Sequence, residues 1–555
     1  MMECISMVSP LREAGFRRAL ALMLISAPLV AQAPIVQDGA LALRHRWLAE
    51  VVDPDQVPPD LPVAWEVGSF AAFGRHSDWM PLINGEGLGS ALQGAGIAAA
   101  GGWRGNGWTL QGRFLAFKEQ DTGASRLRLQ EFEATRMTQG GWRFGLVQGP
   151  MDWGYGMAGG YLMGASHLPF MRAVVESPEW DLSLFRVPLG RWKVETFLGR
   201  LEWNREIPDW ISNPKTVANS LATQGDRRRP EISGMRFKGR FGELFEMNFG
   251  VVSRWGGVRA DGSRVMSGVT DKDYLLAYFG AENIAVAETT GNAQDPNGAN
   301  RFKANPNYKN LSNAVANVEF RWRLPAIAQL TGAKGFAIYL SRGAANVNWQ
   351  WKDFLHHPGS AISHDLTFYW HELSKPGRRM LHSDPDSLWA WAYPQAAPAL
   401  VHINDTFGMQ WVYDTWDLGV ELDDTRNQVY PDSTFRTYGN SAYISGHSRY
   451  GDSLGQAYGG ELYRQSLSWA WRPRSGQEVK ILLSDCIRVP RDVPQAGLAP
   501  EVDDHFLALQ VDFQQRLGHY RVGGSLALED HKAWEYVSGQ RLRNAILTLG
   551  LSRSF

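Results

Sequence analysis

The sequence predicts an all-β protein, a closed antiparallel transmembrane β-barrel, and three observations predict it. The first is the final stretch, residues 544–555. Ala545, Leu547, Leu549, Leu551 and Phe555 fall on one face; Asn544, Thr548, Gly550, Ser552 and Ser554 fall on the other. Ile546 is the misfit on the polar face and Arg553 the misfit on the apolar face. A period of two is a strand period, because successive side chains point to opposite faces. A strand that is apolar outward, polar inward and ends on an interfacial aromatic is the closing strand of an outer-membrane barrel. The second observation is an export signal. Arg12, Arg17 and Arg18 precede the apolar run 19–30, and Ala31-Gln32-Ala33 is a small-x-small cleavage site. The third is the recurrence of the same dyad along the chain.

Composition narrows the function. Lys+Arg number 56 against Asp+Glu 57, so no basic face points to nucleic acid. Trp at 23 and Gly at 58 suit aromatic girdles and tightly curved strands. Cys4 precedes the apolar run, which leaves Cys486 alone in the mature chain and excludes an internal disulfide. No stretch after the signal has the apolar length of a membrane helix. An exported chain without such a helix crosses lipid only as a closed barrel, in which every strand hydrogen bond is made internally.

The expected organisation is a signal peptide over 1–33, a short periplasmic segment over 34–63 and a barrel over 64–555. Residues 41–51 form a short helix in this reading, ended by Pro54, Pro58, Pro59 and Pro62. Strands follow. Trp108, Leu110 and Phe114 alternate with Thr109, Gln111 and Arg113. Two strands flank residues 239–242: Met235 and Phe237 oppose Arg236 and Lys238, then Phe245, Met247, Phe249 and Val251 oppose Glu246, Asn248 and Arg254. Val318, Phe320 and Trp322 alternate with Asn317, Glu319, Arg321 and Arg323. Leu507, Leu509, Val511 and Phe513 alternate with Gln510, Asp512, Gln514 and Arg516. The barrel reading turns Glu319, Arg321 and Arg323 into the lumen, where each needs a partner. Long polar connections lie at 210–230, 281–311, 344–364, 424–460 and 488–504. Loops of that length are usually functional, and in outer-membrane barrels they face outward.

The stretch 141–169 is the most specific. It reads Gly141-Trp142-Arg143-Phe144-Gly145, then Trp153-Gly154-Tyr155-Gly156, then Leu162-Met163-Gly164-Ala165-Ser166-His167-Leu168-Pro169. Further on come Phe197-Leu198-Gly199-Arg200-Leu201-Glu202 with Ile207-Pro208, Gly234-Met235-Arg236-Phe237 and Ser253-Arg254-Trp255-Gly256-Gly257. A Tyr/Gly-rich segment, 438–460, comes late. In this order the motifs resemble the Wzi family of capsule-assembly outer-membrane proteins, with Tyr155 where the family's turn carries Pro. The resemblance implies a barrel of about 18 strands that acts as a lectin attaching capsular or related polysaccharide to the cell surface, without enzymatic activity or cofactor. Its implied partners are surface polysaccharide, outer-membrane lipids and lipopolysaccharide, and the barrel-assembly machinery through Phe555. The alternative in the same fold class is a carbohydrate-selective porin.

A polysaccharide binder needs aromatic faces for sugar rings and polar groups for hydroxyls and uronates. Arg426, Tyr430, Arg436, Tyr438, Tyr443, His447, Arg449, Tyr450 and Tyr458 offer both in one connection; Trp349 and Trp351, beside His356 and His357, are a second candidate. Ordinary girdle packing uses the same residues. Arg227-Arg228-Arg229 attracts acidic groups or is a solvated loop. Ser363-His364-Asp365 and Ser445-Gly446-His447 are poor catalytic candidates, because neighbours on a strand point to opposite faces. No His/Cys/Asp spacing matches a metal site.

Overall fold

The computed structural model of the chain describes residues 65–74, 94–119, 124–149, 151–157, 159–164, 167, 169–184, 187–203, 205, 228–259, 261–267, 271–279, 312–345, 404–425, 448–449, 452–456, 458–473, 476–488, 502–518 and 520–554. Residues 1–33, expected to be a signal peptide, the segment 34–63 and Phe555 lie outside them.

The strands are β1 Trp65–Gly74, β2 Gly94–Gly105, β3 Trp108–Glu119, β4 Ser125–Met137, β5 Arg143–Gln148, β6 Arg172–Glu176, β7 Trp180–Leu184, β8 Val187–Arg200, β9 Glu231–Phe241, β10 Phe245–Trp255, β11 Ser312–Arg323, β12 Gly335–Ala345, β13 Asn404–Val412 and β14 Trp416–Asp424. A two-residue ribbon follows, β15 Ser448–Arg449 with β16 Asp452–Ser453, then β17 Leu462–Trp471, β18 Gln477–Arg488, β19 Asp504–Leu517, β20 Tyr520–His531 and β21 Leu542–Ser554. Two short helices are α1 Asp271–Tyr278 and α2 Pro325–Thr331.

Apart from the small ribbon, the strands form one nineteen-stranded sheet in which each strand pairs antiparallel with its neighbours. β6 and β7 both pair with β8, one against residues 195–199 and the other against 187–192. They are one lane interrupted at Ser177-Pro178-Glu179, so among the described residues nineteen strands occupy eighteen positions. The first strand also pairs with the last, in nine residue pairs from Glu66↔Ser554 to Gly74↔Ile546.

The two ends of the sheet differ. At one end the turns are short: Asn106-Gly107, 138–142, 242–244, 413–415 and 518–519. Asn106 and Gly107 both take positive φ, 51° and 77°, as a tight two-residue hairpin requires. The opposite end carries the long connections.

The two faces of the sheet are inverted relative to a soluble protein. Glu319 and Arg321 are each 1 % exposed, and Arg113, Glu246, Arg254, Glu421, Asp423, Arg464 and Glu529 are also buried. Leu110, Phe114, Trp322, Leu507 and Phe513 are exposed. Charged residues are almost never fully buried unless paired, and here they are paired. Arg321 and Arg323 both contact Glu246, and the Asn248 side chain donates to Glu319 at 3.2 Å. Residues 319, 321 and 323 therefore lie on the buried face, as their alternation predicts.

Register also explains the two misfits of the last strand. Ile546 is buried against Ala527 on the polar face. The Arg553 guanidinium lies 5.5 Å from the Tyr520 ring centroid at the short-turn end. Trp108, Trp142, Trp180, Trp322, Trp471 and Tyr520, all exposed, lie at or next to that same end.

Candidate functional site

The connection after β5 runs along the buried face of the sheet. It begins with a closed turn: the Trp153 N–H donates to the Met163 carbonyl at 2.9 Å. Asp152 Oδ1 accepts the Gly154 and Gly160 N–H groups at 3.2 and 2.9 Å. Gly154 and Gly160 stack so closely that a Cβ on either would overlap the other's backbone. Trp153, Tyr155, Met157, Tyr161, Leu162 and Met163 are all buried.

This inward segment touches the sheet from β6 to β14. Trp153, Leu162, Met163 and Phe170 form one apolar cluster with Val174 of β6, Phe197 of β8, Ile232 of β9, Val252 of β10 and Val315 of β11. Strand glycines make the room. A Cβ at Gly250 of β10 would collide with Leu162, and one at Gly343 of β12 with the Tyr161 ring. Arg321 stacks on Tyr155 at 4.2 Å, and Arg236 on Trp153 at 5.3 Å. The Met157 N–H donates to Glu421 of β14, which also accepts the Tyr339 hydroxyl and Arg464 of β17.

Two further pieces turn inward. Leu454 is fully buried in the same apolar cluster, and its carbonyl accepts the Gly164 N–H at 2.7 Å. Gln456 Nε2 donates to Thr406 and Asp423 at 2.7 and 2.8 Å. α1 lies against the ends of β9 and β10, where Ser233 and Ser253 hydroxyls donate to the Tyr278 and Ala277 carbonyls, each at 2.7 Å.

The wall below the turn of the inward segment, toward the short-turn end, carries an alternating ladder of charge. Glu133 of β4 meets Arg143 of β5 at 2.7 Å, and Arg143 meets Glu176 of β6. Lys193 of β8 bridges Glu176 at 2.8 Å and Glu195 at 3.1 Å, and Glu195 accepts Arg236 Nε of β9 at 3.0 Å. This ladder walls a cavity of about 330 Å³, capped by Met151, Asp152 and Trp153.

The residues singled out in the sequence fall differently. Trp349, Trp351, Arg426, Tyr430, Arg436, Tyr438, Tyr443, His447 and Tyr450 lie outside the described residues, as do His356, His357 and both Ser/His candidates. Arg449 is placed by backbone only, in β15. Tyr458 corrects the expectation of a sugar-facing loop aromatic: it is 2 % exposed and clusters with Leu462, Cys486, Phe506 and Ala508. Residues 453–456 and 458–460 are likewise buried. Among the described residues, no group of His, Cys, Asp and Glu is arranged to hold a metal, and no helix is long and apolar enough to cross a membrane.

Sequence reasoning marked 141–169 as distinctive but did not place it inside. The available signal was five glycines, Gly154, Gly156, Gly159, Gly160 and Gly164, set among aromatics with no strand period. Glu246 joins the two arginines of the neighbouring strand. Glu246→Ala removes the carboxylate that both buried guanidiniums contact and should destabilise the fold by about 3–5 kcal/mol. The shift of the denaturant midpoint in detergent measures this, and Glu246→Gln should cost less.

No family model matches the chain, and no curated protein matches it. Among solved structures it is similar to Wzi from Escherichia coli, described as an outer-membrane protein involved in group 1 capsule assembly and as a carbohydrate-binding β-barrel. The TM-score is 0.52 at 13% identity, covering 93% of this chain and 88% of that one. It is also similar to OprD from Pseudomonas aeruginosa, with a TM-score of 0.39 at 6% identity, covering 89% of this chain and 95% of that one. The chain shares the fold of Wzi.

Proposed function

We propose that the chain forms a closed barrel in the outer membrane and binds surface polysaccharide, holding it at the cell rather than passing solutes through an open pore. The observation that carries this reading is the inward segment, which covers the polar face from β6, through Trp153 and Phe170, to β14, through Tyr161 and Met157. A wide diffusion channel leaves that face to water.

Closure is supported by the antiparallel pairing of β1 with β21. Membrane placement is supported by the exposed apolar face and by tryptophans gathered at the short-turn end, where an interfacial girdle belongs. In this reading residues 1–33 are removed on export, and residues 34–63 and the short turns face the periplasm. The long connections then face outward, and Arg426, Tyr430, Arg436, Tyr438, Tyr443, Arg449, Tyr450, Trp349 and Trp351 are the proposed polysaccharide contacts. The Wzi likeness, which is one of fold, suggests the ligand class. Binding of this kind involves no bond-making step and no cofactor.

The test compares cell-bound with released polysaccharide in wild type, in a strain lacking the protein, and in a variant with Arg436, Tyr438, Tyr443 and Arg449 all replaced by Ala. The expected result is release into the medium in both altered strains at normal barrel levels. Unchanged retention in the strain lacking the protein overturns the reading.

A further inference from the structure

We infer that the cavity beneath the inward segment is a binding site for one neutral sugar unit, reached from the short-turn end. The ligand class rests on the carbohydrate reading above; the location and the preference for a neutral ring come from the cavity itself.

Its volume, about 330 Å³, equals roughly ten waters at ~30 Å³ each, the lower end of the range for ligand pockets. Its position fixes the route. Met151, Asp152 and Trp153 close it on the long-connection side, while Arg143 at the start of β5 and Glu176 at the end of β6 stand beside the short turns.

The lining has two parts. Val147, Val174 and Phe197 lie on the same strand faces as Arg143, Glu176 and Glu195, further from the short turns, and with Trp153 they give the cavity an apolar end above its polar one. A pyranose has the same division, a C–H face and a rim of hydroxyls.

The ladder retains hydrogen-bonding capacity toward the cavity. A guanidinium has five N–H donors. Arg236 spends Nε–H and one Nη2–H on Glu195, and makes no other hydrogen bond among the described residues. The Gln148 amide donates to the Leu129 carbonyl and the Gln111 amide to Glu133, while neither amide oxygen accepts a bond among the described residues. Glu133, Glu176 and Glu195 keep lone pairs beyond those their partners use. Donors and acceptors thus alternate along one wall. Hydroxyls suit this arrangement, because each both donates and accepts.

Charge gives an anion no free counter-ion. Five carboxylates, Glu131, Glu133, Asp152, Glu176 and Glu195, line the cavity with Arg143, Arg172 and Arg236, while Lys193 bridges Glu176 and Glu195 and Arg113 pairs with Glu131 beside it. Arg143 and Arg236 are committed to Glu133, Glu176 and Glu195, so a uronate or phosphate would compete with carboxylates already in place, whereas a neutral ring would not.

Two variants test this in the full-length protein in detergent. Gln111→Trp places an indole in the cavity from an exposed position and leaves the ladder's ion pairs intact. Arg236→Lys keeps a cation beside Glu195 and replaces the planar five-donor fork by a three-donor ammonium that cannot aim two parallel N–H groups into the cavity. Saturation-transfer NMR and calorimetry use D-glucose, D-galactose, D-mannose and their disaccharides as probes, with D-glucuronate as the anionic comparison. Heat-modifiable gel mobility confirms that both variants fold.

At least one neutral sugar should bind saturably and tighter than glucuronate. Gln111→Trp should abolish that binding, and Arg236→Lys should weaken it at least tenfold. The inference is overturned if no neutral sugar binds the folded wild type, if glucuronate binds tighter, or if both variants bind as wild type does. The outcome is separable from the polysaccharide reading. Loss of cavity binding in Gln111→Trp with full polysaccharide retention by cells leaves the outward loops as the polymer site. Cavity binding in a protein whose absence does not release polysaccharide leaves the cavity and removes the lectin.

Discussion

Replacing residues 154–162 by two glycines should turn a silent protein into a stable ion channel in planar bilayers. The substitution is geometrically available, because Trp153 and Met163 already meet through a 2.9 Å backbone hydrogen bond. It removes Tyr155, Met157, Tyr161 and Leu162, the side chains that fill the polar face between β10 and β14. Each buried apolar side chain contributes about 1.5–3 kcal/mol, so the variant should be less stable. It should still fold, because strand pairing does not run through the segment. Glu421 loses the Met157 N–H but keeps the Tyr339 hydroxyl and Arg464. Glu246, Arg321 and Arg323 keep one another. The exposed face the membrane would meet is unchanged. The expected record is no conductance from wild type and steady conductance steps from the variant. Steady conductance from wild type itself would favour the carbohydrate-selective porin over the polysaccharide binder.

The strands were legible because a two-residue period ties each side chain to a face, and one buried face fixes the register. That rule located β3, β9, β10, β11, β19 and β21, and it put Glu319, Arg321 and Arg323 on the correct side. It could not name their partners. Glu246 faces Arg321 only because β10 and β11 pair with Glu246 opposite Arg321, a register between strands that lie more than fifty residues apart in the chain. The inward segment was illegible for a stronger reason. It has no period, and Met157 and Glu421 are 264 residues apart. Its shape is carried by glycines on both sides of the contact, Gly154 and Gly160 within it and Gly250 and Gly343 on the wall. Tyr458 failed for a similar reason. Counted with its loop neighbours it resembles a sugar platform, but Phe506 and Cys486, which bury it, come from strands further along the chain.

Truncation before Leu542 should abolish membrane insertion, and the reason is backbone pairing rather than lost apolar surface. β21 pairs with β20 from Tyr520↔Arg553 to His531↔Leu542 and with β1 from Glu66↔Ser554 to Gly74↔Ile546. Without it both neighbours present a row of unpaired N–H and C=O groups. In lipid each unsatisfied group costs several kcal/mol, and no water is present to replace the partner. A second variant separates the two causes. Leu549→Arg leaves every backbone pair intact and places one charge on the exposed face of the same strand. Near the middle of a bilayer such a charge costs about 2–4 kcal/mol, a loss the fold can absorb. The truncated protein should appear in the aggregated fraction with no heat-modifiable band. The Leu549→Arg protein should reach the membrane in reduced amount, with the band present. Equal loss in both would make apolar surface the deciding term. A heat-modifiable band from the truncated chain would mean that β20 and β1 close the sheet without β21.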